Sequence, residues 1–314
     1  MSSNTNSSES EWNYSESDIA KKFLFFNVLK DGRIHVFTPT SKMVPPSFGS
    51  TFGVLIKDVE ISKDVSVRVF LPSSVLTSAC TTQKLPVVLF IHGGGFCMRS
   101  AFSEDYTRFG SHITADANVI VVSVEYGLFP ARPLPACYDD SWAALEWVAS
   151  HSKGTGPEPW LNDYGDLSRI FVSGNSAGGT MSHTLLAKVG SIGLPEGAKI
   201  EGMILLHPYF GEGDKMWMFM CPTNLGPRDP RMKPAVEDLA RIACGRVLVV
   251  LAEKDFLYGV GKLYADELIK SGWNGKVEVM ENKEKEHCFN INDHTDPEAS
   301  VIRQRIVSFI HNRS

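Results

Sequence analysis

The sequence predicts an α/β fold, with a mostly parallel central sheet covered by helices on both faces. Residues 53–61 and 65–72 alternate apolar and polar side chains, as the strands of a half-buried antiparallel hairpin do. Five later runs are short and almost wholly apolar, at 86–91, 119–124, 169–173, 203–207 and 246–251. Strands buried on both faces have this composition, and such strands belong to parallel sheets that lie between helical layers.

The segments between these runs have helical periodicity. Residues 139–150 present Trp142, Leu145 and Val148 on one face of a predicted helix. Two later helices are marked in the same way, one by Leu263, Leu268 and Ile269 and one by Ile302, Ile306, Phe309 and Ile310. Alternating strands and helices place a binding or catalytic site at the carboxyl ends of the strands.

Composition and charge exclude several classes of protein. The chain has 314 residues and a formal net charge of −5, with no cluster of Lys or Arg, which argues against a nucleic-acid partner. No apolar run approaches the roughly 18 residues that span a membrane. No internal repeat or linker divides the chain, so we predict one domain over residues 1–314.

The first twelve residues and the spacing of the cysteines both favour a cytosolic protein. Residues 1–12 are polar and weakly acidic, which predicts a disordered tail and neither a secretory signal nor a transit peptide. The six cysteines lie far apart, without a Cys-x-x-Cys pair or a Cys/His cluster in the sequence. This spacing favours free thiols in a reducing compartment over disulfides or a zinc site, so we predict no metal and a cytoplasmic location.

A Gly-x-Ser-x-Gly string lies at residues 174–178, centred on Ser176. Such a string is weak evidence alone, because a Gly-rich turn with a capping Ser has the same letters. Here it directly follows the apolar run 169–173 and directly precedes a helical stretch. A strand, tight turn and helix in this order expose a Ser hydroxyl as a nucleophile. We therefore predict Ser176 as the nucleophile.

Three consecutive glycines follow another buried run, in His92-Gly93-Gly94-Gly95-Phe96. Their cost in backbone entropy indicates that the backbone must approach something closely. A glycine loop of this kind can present N–H groups to an oxyanion, together with the N–H of the residue after the nucleophile. The predicted donors are Gly93, Gly94 and Ala177.

A Ser nucleophile needs a base and an orienting acid, which follow it in the order acid, then His, in this strand pattern. His287 follows the strand-like KVEVM, whereas His294 lies in a polar run and His311 on the terminal helix. We predict His287 as the base. Asp255 and Glu253 both follow the run 246–251, and we favour Asp255.

Together these segments resemble the plant carboxylesterases of the hormone-sensitive-lipase-like group of the α/β-hydrolase superfamily. The resemblance runs from about residue 26 to the C-terminus, and it is carried by LPVVLFIHGGGFC, EYGLFPARPLPACYDD, GNSAGG, ILLHPYF, LAEKDFLYGVGKLYADELIKSGW and EHCF. It implies the α/β-hydrolase fold, a Ser176–Asp255–His287 triad, and oxyanion donors at Gly93, Gly94 and Ala177. It also implies a small cap, which we assign to about 13–50 and 208–235, and no cofactor.

Two segments depart from the family pattern. The family usually has Tyr-Arg-Leu-Ala-Pro-Glu-His where this chain has residues 126–132, and we expect altered packing there with the chemistry retained. The family also has a longer insert after Phe210, where only residues 211–215 intervene before MWMFMCP. Because that insert borders the acyl pocket in the family, we expect a pocket of different shape.

The function predicted from these features is hydrolysis of a small-molecule ester by a monomer or homodimer. Several aromatic residues are candidates for the pocket, although each also fits plain core packing: Phe96, Phe102, Tyr209, Phe210, Trp217, Phe256 and Phe289. Their number favours an ester of a bulky plant specialised metabolite. Relatives in this group also include hydroxyisoflavanone dehydratases, alkaloid cyclases and gibberellin receptors. A lyase or cyclase reaction is therefore the alternative, and a non-catalytic receptor, which would lack His287, is the third.

Overall fold

The computed structural model describes residues 12–37, 42–76 and 83–312. The described residues before position 40 form one compact unit, and those after it form a second, much larger one. The predicted disordered tail falls on residues that, except for Trp12, lie outside the described part.

The cap assigned to about 13–50 and 208–235 stays a prediction. The assignment of residues 1–314 to a single domain also stays a prediction. Every residue of the candidate site belongs to the larger unit.

The smaller unit contains a three-stranded antiparallel sheet, formed by β1 (Ile19–Lys22), β2 (Phe26–Leu29) and β3 (Ile34–Val36). An aromatic cluster supports its third strand. The ring of Trp12 stacks on His35 with centroids 4.6 Å apart, and the Tyr14 hydroxyl lies 2.7 Å from His35 Nδ1. These contacts fix the residues that precede β1 against β3.

The larger unit is built on an eight-stranded sheet. Its strands are β4 (Val54–Ser62), β5 (Val65–Pro72), β6 (Leu85–Ile91), β7 (Ile120–Glu125), β8 (Gly165–Asn175), β9 (Ile200–Leu206), β10 (Arg246–Ala252) and β11 (Lys276–Asn282). Their order across the sheet is β11-β10-β9-β8-β6-β7-β5-β4. Strands β4 and β5 form the predicted antiparallel hairpin, and the strands from β6 onward are parallel to one another. The predicted α/β fold class is confirmed.

Nine α-helices of the larger unit lie in the described residues. They are α1 (Glu104–Ala117), α2 (Ala136–Ala149), α3 (Pro159–Tyr164), α4 (Ala177–Ile192), α5 (Lys215–Met220), α6 (Val236–Leu239), α7 (Tyr258–Lys270), α8 (Phe289–Asn292) and α9 (Pro297–His311). The three helices expected from apolar periodicity are α2, α7 and α9. None of the helices in the described segments combines the length and apolar character that crossing a membrane requires.

The segment after β7, where the sequence departs from the family pattern, is held to α2. Asp140 is buried on α2, where it accepts the N–H of Gly127 at 2.8 Å and pairs with Arg132. A Cβ on Gly127 would overlap the Arg132 side chain. The glycine at position 127 and the arginine at 132 therefore depend on each other, and they hold this loop to α2.

The parallel strands determine where the site forms. Because β6, β8, β10 and β11 are parallel, the residues that follow each of them emerge at the same edge of the sheet. The glycine loop follows β6, and Ser176 follows β8. Asp255 follows β10, and His287 follows β11.

Candidate active site

Ser176 lies in the tight turn between β8 and α4. Its backbone has φ 51° and ψ −120°, a strained conformation that turns the side chain out of the strand. Two glycines permit the turn. A Cβ on Gly178 would overlap the carbonyl oxygen of Ile91, and a Cβ on Gly174 would overlap that of Gly178. The structure thus contains the strand, turn and helix that the sequence predicted around this serine.

His287 contacts both Ser176 and Asp255. Its Nε2 lies 2.9 Å from Ser176 Oγ, and its Nδ1 lies 2.7 Å from Asp255 Oδ2. A carboxylate only accepts hydrogen bonds, so Nδ1 donates to it and Nε2 keeps a lone pair for the serine O–H. In this arrangement the imidazole can accept the hydroxyl proton, and the carboxylate can stabilise the resulting positive charge.

Asp255, and not Glu253, is the acid that contacts His287. The Asp255 side chain is only 1% exposed, and its second oxygen accepts the N–H of Leu257 at 2.8 Å. Glu253 is exposed, and its Oε2 accepts the N–H of Glu284 at 2.9 Å. The carboxylate of Asp255 is therefore held in a single orientation toward the imidazole.

The two other candidate histidines lie elsewhere. His294 is exposed in the loop between α8 and α9. His311 ends α9, and its Nε2 lies 2.7 Å from the carbonyl oxygen of Ala117. Chain order and strand position were sufficient to separate His287 from both of them.

Several influences act on the pKa of His287. Burial lowers this pKa, whereas negative charge on Cys288 and the hydrogen bond to Asp255 raise it. The raising influences outweigh burial, and the pKa lies above the ordinary value of 6.5. The imidazole is therefore a stronger base than a solvated histidine, and it stays protonated to a higher pH.

The N–H of Gly93, a predicted oxyanion donor, already has partners in the structure. It donates to Asn175 Oδ1 at 2.8 Å and lies 3.1 Å from the Tyr106 hydroxyl. These partners compete with an oxyanion for the same N–H, and the assignment of Gly93 as a donor stays a prediction. The sequence could not show these partners, because the direction of each N–H in a run of three glycines depends on the backbone angles.

Three other N–H groups are available at this edge of the sheet. Those of Gly94 and Gly95 have no acceptor in the described part of the chain. That of Ala177 is at the first position of α4, where a helix leaves its N–H groups without an intrahelical acceptor. The sequence analysis did not name Gly95, although this residue is the third glycine of the run. Its φ of 56° is visible only in the structure.

The glycine loop is a tight turn closed by its own backbone. The carbonyl oxygen of Gly94 accepts the N–H groups of Cys97 at 3.1 Å and of Met98 at 2.9 Å. Gly94 has φ 109°, and a Cβ there would overlap the Met98 carbonyl oxygen. Only glycine fits this position without moving the backbone.

Most of the predicted pocket aromatics are buried. Five of them are in the core: Phe96, Tyr209, Phe210, Trp217 and Phe289. The Phe210 ring, for example, stacks on Tyr264 with centroids 4.4 Å apart. Phe102 is half-buried and packs against the guanidinium of Arg68, 5.0 Å from the ring centroid. These contacts favour core packing, which the sequence left open as the alternative, and a pocket role for these six residues stays a prediction.

Phe256 is different from the other six. Its side chain is 62% exposed, and its ring centroid lies 5.1 Å from that of His287. An exposed aromatic ring next to the imidazole of His287 offers an apolar surface to a bound molecule. Phe256 is therefore the predicted pocket aromatic that the structure places beside His287 and open to solvent.

Asn175 connects the parts of the site. Its side chain is buried, and besides accepting the Gly93 N–H, its Nδ2 lies 3.2 Å from the Tyr106 hydroxyl and 3.3 Å from Cys288 Sγ. One side chain thus joins the glycine loop to the residue that follows His287. The sequence analysis missed this role, because Asn175 was noted only as a member of the Gly-x-Ser-x-Gly string.

We expect Asn175→Leu to lower the free energy of unfolding by about 1–3 kcal/mol, because the buried Gly93 N–H loses the shorter of its two hydrogen bonds and Cys288 Sγ loses a donor. Urea denaturation of the two proteins measures this difference. Asn274→Leu is the matched control, since Asn274 is exposed and has no contact of this kind. Equal destabilisation by the two changes would contradict the role given to Asn175.

Comparison with known proteins identifies the family. The family described as having the alpha/beta hydrolase fold matches residues 88–291. The chain belongs to this family. It is 37% identical to "Probable carboxylesterase 1" of Arabidopsis thaliana, with 91% of this chain and 95% of that protein covered.

Two further relatives carry other names. The chain is 36% identical to the 2-hydroxyisoflavanone dehydratase of Glycyrrhiza echinata, covering 90% of this chain and 93% of that protein. It is 37% identical to the tuliposide A-converting enzyme b1 of Tulipa gesneriana, covering 91% of this chain and 78% of that protein. This α/β hydrolase therefore groups with plant carboxylesterases and with a plant dehydratase.

Solved structures agree with the fold. A thermostable esterase from Pseudomonas putida superposes with a TM-score of 0.67 at 22% identity, covering 88% of this chain and 87% of that one. An esterase of Pyrobaculum calidifontis superposes with a TM-score of 0.65 at 21% identity, covering 84% and 88%. At these identities the similarity establishes the α/β-hydrolase fold of this chain.

Proposed function

We propose that this α/β hydrolase is a serine carboxylesterase whose nucleophile, base and acid are Ser176, His287 and Asp255. The observation that carries the proposal is the continuous chain of hydrogen bonds from Ser176 Oγ through His287 to Asp255, at 2.9 and 2.7 Å. The kinship with plant carboxylesterases supports the same conclusion.

In the first half of the reaction, His287 takes the proton of Ser176 while Oγ attacks the ester carbonyl. The N–H groups of Gly94, Gly95 and Ala177 stabilise the oxyanion that forms. Each such donor is worth about 3–4 kcal/mol of transition-state stabilisation. His287 then gives the proton to the leaving alcohol, and an acyl group remains on Ser176.

In the second half, His287 removes a proton from water, which attacks the acyl-enzyme. The same N–H groups hold the second oxyanion, and collapse releases the carboxylic acid and free Ser176. Asp255 keeps Nδ1 protonated throughout and stabilises the imidazolium in both halves. The mechanism uses no metal or organic cofactor.

The substrate we propose is an ester of a bulky plant specialised metabolite. Phe256 supports this, because its exposed ring beside His287 offers an apolar surface larger than a short acyl group needs. Two plant relatives are named for small organic compounds, a 2-hydroxyisoflavanone and tuliposide A. We include the cytoplasmic location in the proposal, supported by five free cysteines among the described residues.

Elimination is the second candidate reaction. The similarity to a dehydratase favours it, because the same imidazole could remove a proton next to a carbonyl and leave Ser176 unacylated. Hydrolysis and elimination differ in whether water enters the product. The two reactions are therefore separable by isotope content.

The proposal is tested by incubating the purified protein with a nitrophenyl ester in ¹⁸O-labelled water. Hydrolysis predicts one ¹⁸O atom in the released acid, as measured by mass spectrometry, and the Ser176→Ala protein serves as the background control. A panel of methyl esters of bulky ring compounds then tests the substrate class. Turnover without ¹⁸O in the product, or no turnover of any ester, would contradict the proposal.

The pH dependence follows from the raised pKa of His287. The imidazole must be neutral to act as the base, so kcat/KM falls as the pH drops through its pKa in the free enzyme. Because that pKa lies above 6.5, we expect the acidic limb of the profile at higher pH than an ordinary histidine gives. Cys288→Ser removes one raising influence and should move the limb to lower pH. Rates measured across the pH range with a chelator present would detect this shift, and a limb below pH 6.5 would contradict it.

A further inference from the structure

A cysteine and two histidines converge beside the proposed catalytic site. Cys288 directly follows His287, and His207 follows the end of β9. One ring nitrogen of each histidine and the Cys288 Sγ all lie within 4.8 Å of one another. Imidazole and thiolate are the ligands that zinc and other soft divalent cations prefer.

Cys288 is buried, and its Sγ accepts a hydrogen bond from Asn175 Nδ2 at 3.3 Å. The thiolate is the form of cysteine that binds a metal ion, so cation binding here is coupled to loss of the thiol proton.

His207 presents one ring nitrogen to Cys288. Its side chain is buried, and its Nδ1 accepts the N–H of Cys288 at 3.0 Å. The ring proton of the neutral imidazole is therefore on Nε2, and the lone pair on Nδ1 is the one that a cation can bind.

We propose that His207, His287 and Cys288 form an inhibitory site for a soft divalent cation such as Zn²⁺. The cation takes the place of the thiol proton, which leaves to solvent, and takes the lone pair on His287 Nε2 that otherwise accepts from Ser176. His207 Nδ1 gives up the hydrogen bond that it accepts from the Cys288 N–H and binds the cation instead. No atom is oxidised or reduced.

His287 suits this role because Asp255 already binds its Nδ1. A carboxylate–histidine–metal arrangement orients the ring and makes Nε2 a better ligand. The His287 side chain is 21% exposed, so part of the ring is open to solvent. Loss of ester hydrolysis on metal binding rests on the proposed function, whereas the metal site itself rests on the three side chains.

The test titrates the reduced, chelator-treated protein with Co²⁺, which gives a charge-transfer absorption band when a thiolate is bound. We expect a band that saturates at one ion per chain and disappears when Zn²⁺ displaces cobalt. Cys288→Ser should lose the band, and Cys244→Ser, the matched control, should keep it. In the esterase assay, Zn²⁺ should inhibit the unmodified protein reversibly, and Cys288→Ser should require at least tenfold more Zn²⁺.

A second measurement needs no variant. Zn²⁺ should protect Cys288, and not Cys244, from iodoacetamide, as read from the alkylated peptides by mass spectrometry. A cobalt band that survives Cys288→Ser, no band in the unmodified protein, or alkylation of Cys288 unaffected by Zn²⁺ would overturn the site. If the band and the protection behave as expected but no ester is hydrolysed, the proposed function fails and the metal site stands.

Discussion

Replacing His287 with alanine is expected to lower kcat for a nitrophenyl ester by about 10⁴-fold or more. The reason is that His287 Nε2, 2.9 Å from Ser176 Oγ, is the group that takes the hydroxyl proton in the proposed mechanism. Without that base, a hydroxyl of ordinary acidity must attack the carbonyl. The loss should appear in kcat at saturating ester, since proton transfer belongs to the transition state and contributes little to binding.

The matched control for His287 is His294→Ala. His294 lies seven positions later and is exposed, so its removal should change kcat less than about twofold, as is usual for surface positions. Asp255→Asn should behave like His287→Ala, because an amide at this position favours the wrong tautomer of the imidazole. Equal losses in the His287 and His294 variants, or no loss in either, would contradict the assignment of the base.

Gly94→Ala is expected to lower kcat by about 10²–10³-fold, the effect of losing one oxyanion donor. Gly94 has φ 109°, and its new Cβ would overlap the Met98 carbonyl oxygen, so the glycine loop must move. Movement of this loop displaces the N–H groups of Gly94 and Gly95. Initial rates measured over a range of ester concentrations separate the loss in kcat from any change in KM.

Gly154→Ala provides the control for backbone strain. Gly154 also has a positive φ, of 73°, but nothing lies within 4 Å of its Cβ position. Both variants therefore strain the backbone, and only the Gly94 variant disturbs the proposed oxyanion donors. A Gly94→Ala protein that keeps full kcat, or a Gly154→Ala protein that loses as much, would contradict this account.

The sequence predicted best the strands of the sheet and the residues that directly follow them. The five apolar runs became β6 to β10, because a strand buried on both faces requires apolar residues at almost every position. The residues around Ser176, Asp255 and His287 were predictable for a related reason. Each follows a strand, and parallel strands carry such residues to one edge of the sheet.

The sequence did not reveal which way individual N–H groups and side chains point at that edge of the sheet. Three identical glycines do not show which N–H faces the serine, and in the structure the Gly93 N–H donates to Asn175. Aromatic residues have the same letters in a core as in a pocket, so only Phe256 could be distinguished, by its exposure.

The sequence also did not reveal the cluster of His207, His287 and Cys288, whose members are far apart along the chain. Sequence spacing showed no such cluster, because His207 lies 81 positions before Cys288. The parallel pairing of β9, β10 and β11 brings the ends of these strands together, and with them the two residues. A cluster assembled by topology leaves no local pattern to find.

The central claim is that Ser176 carries the acyl group of the substrate during turnover. Acid quenching of the protein during turnover of a slowly deacylated ester, followed by peptide mass spectrometry, measures this directly. We predict a peptide that contains Ser176 and is heavier by the mass of the acyl group, at up to one acyl group per chain. Steady ester turnover with an unmodified Ser176 peptide, or with the acyl group on another residue, would contradict the account.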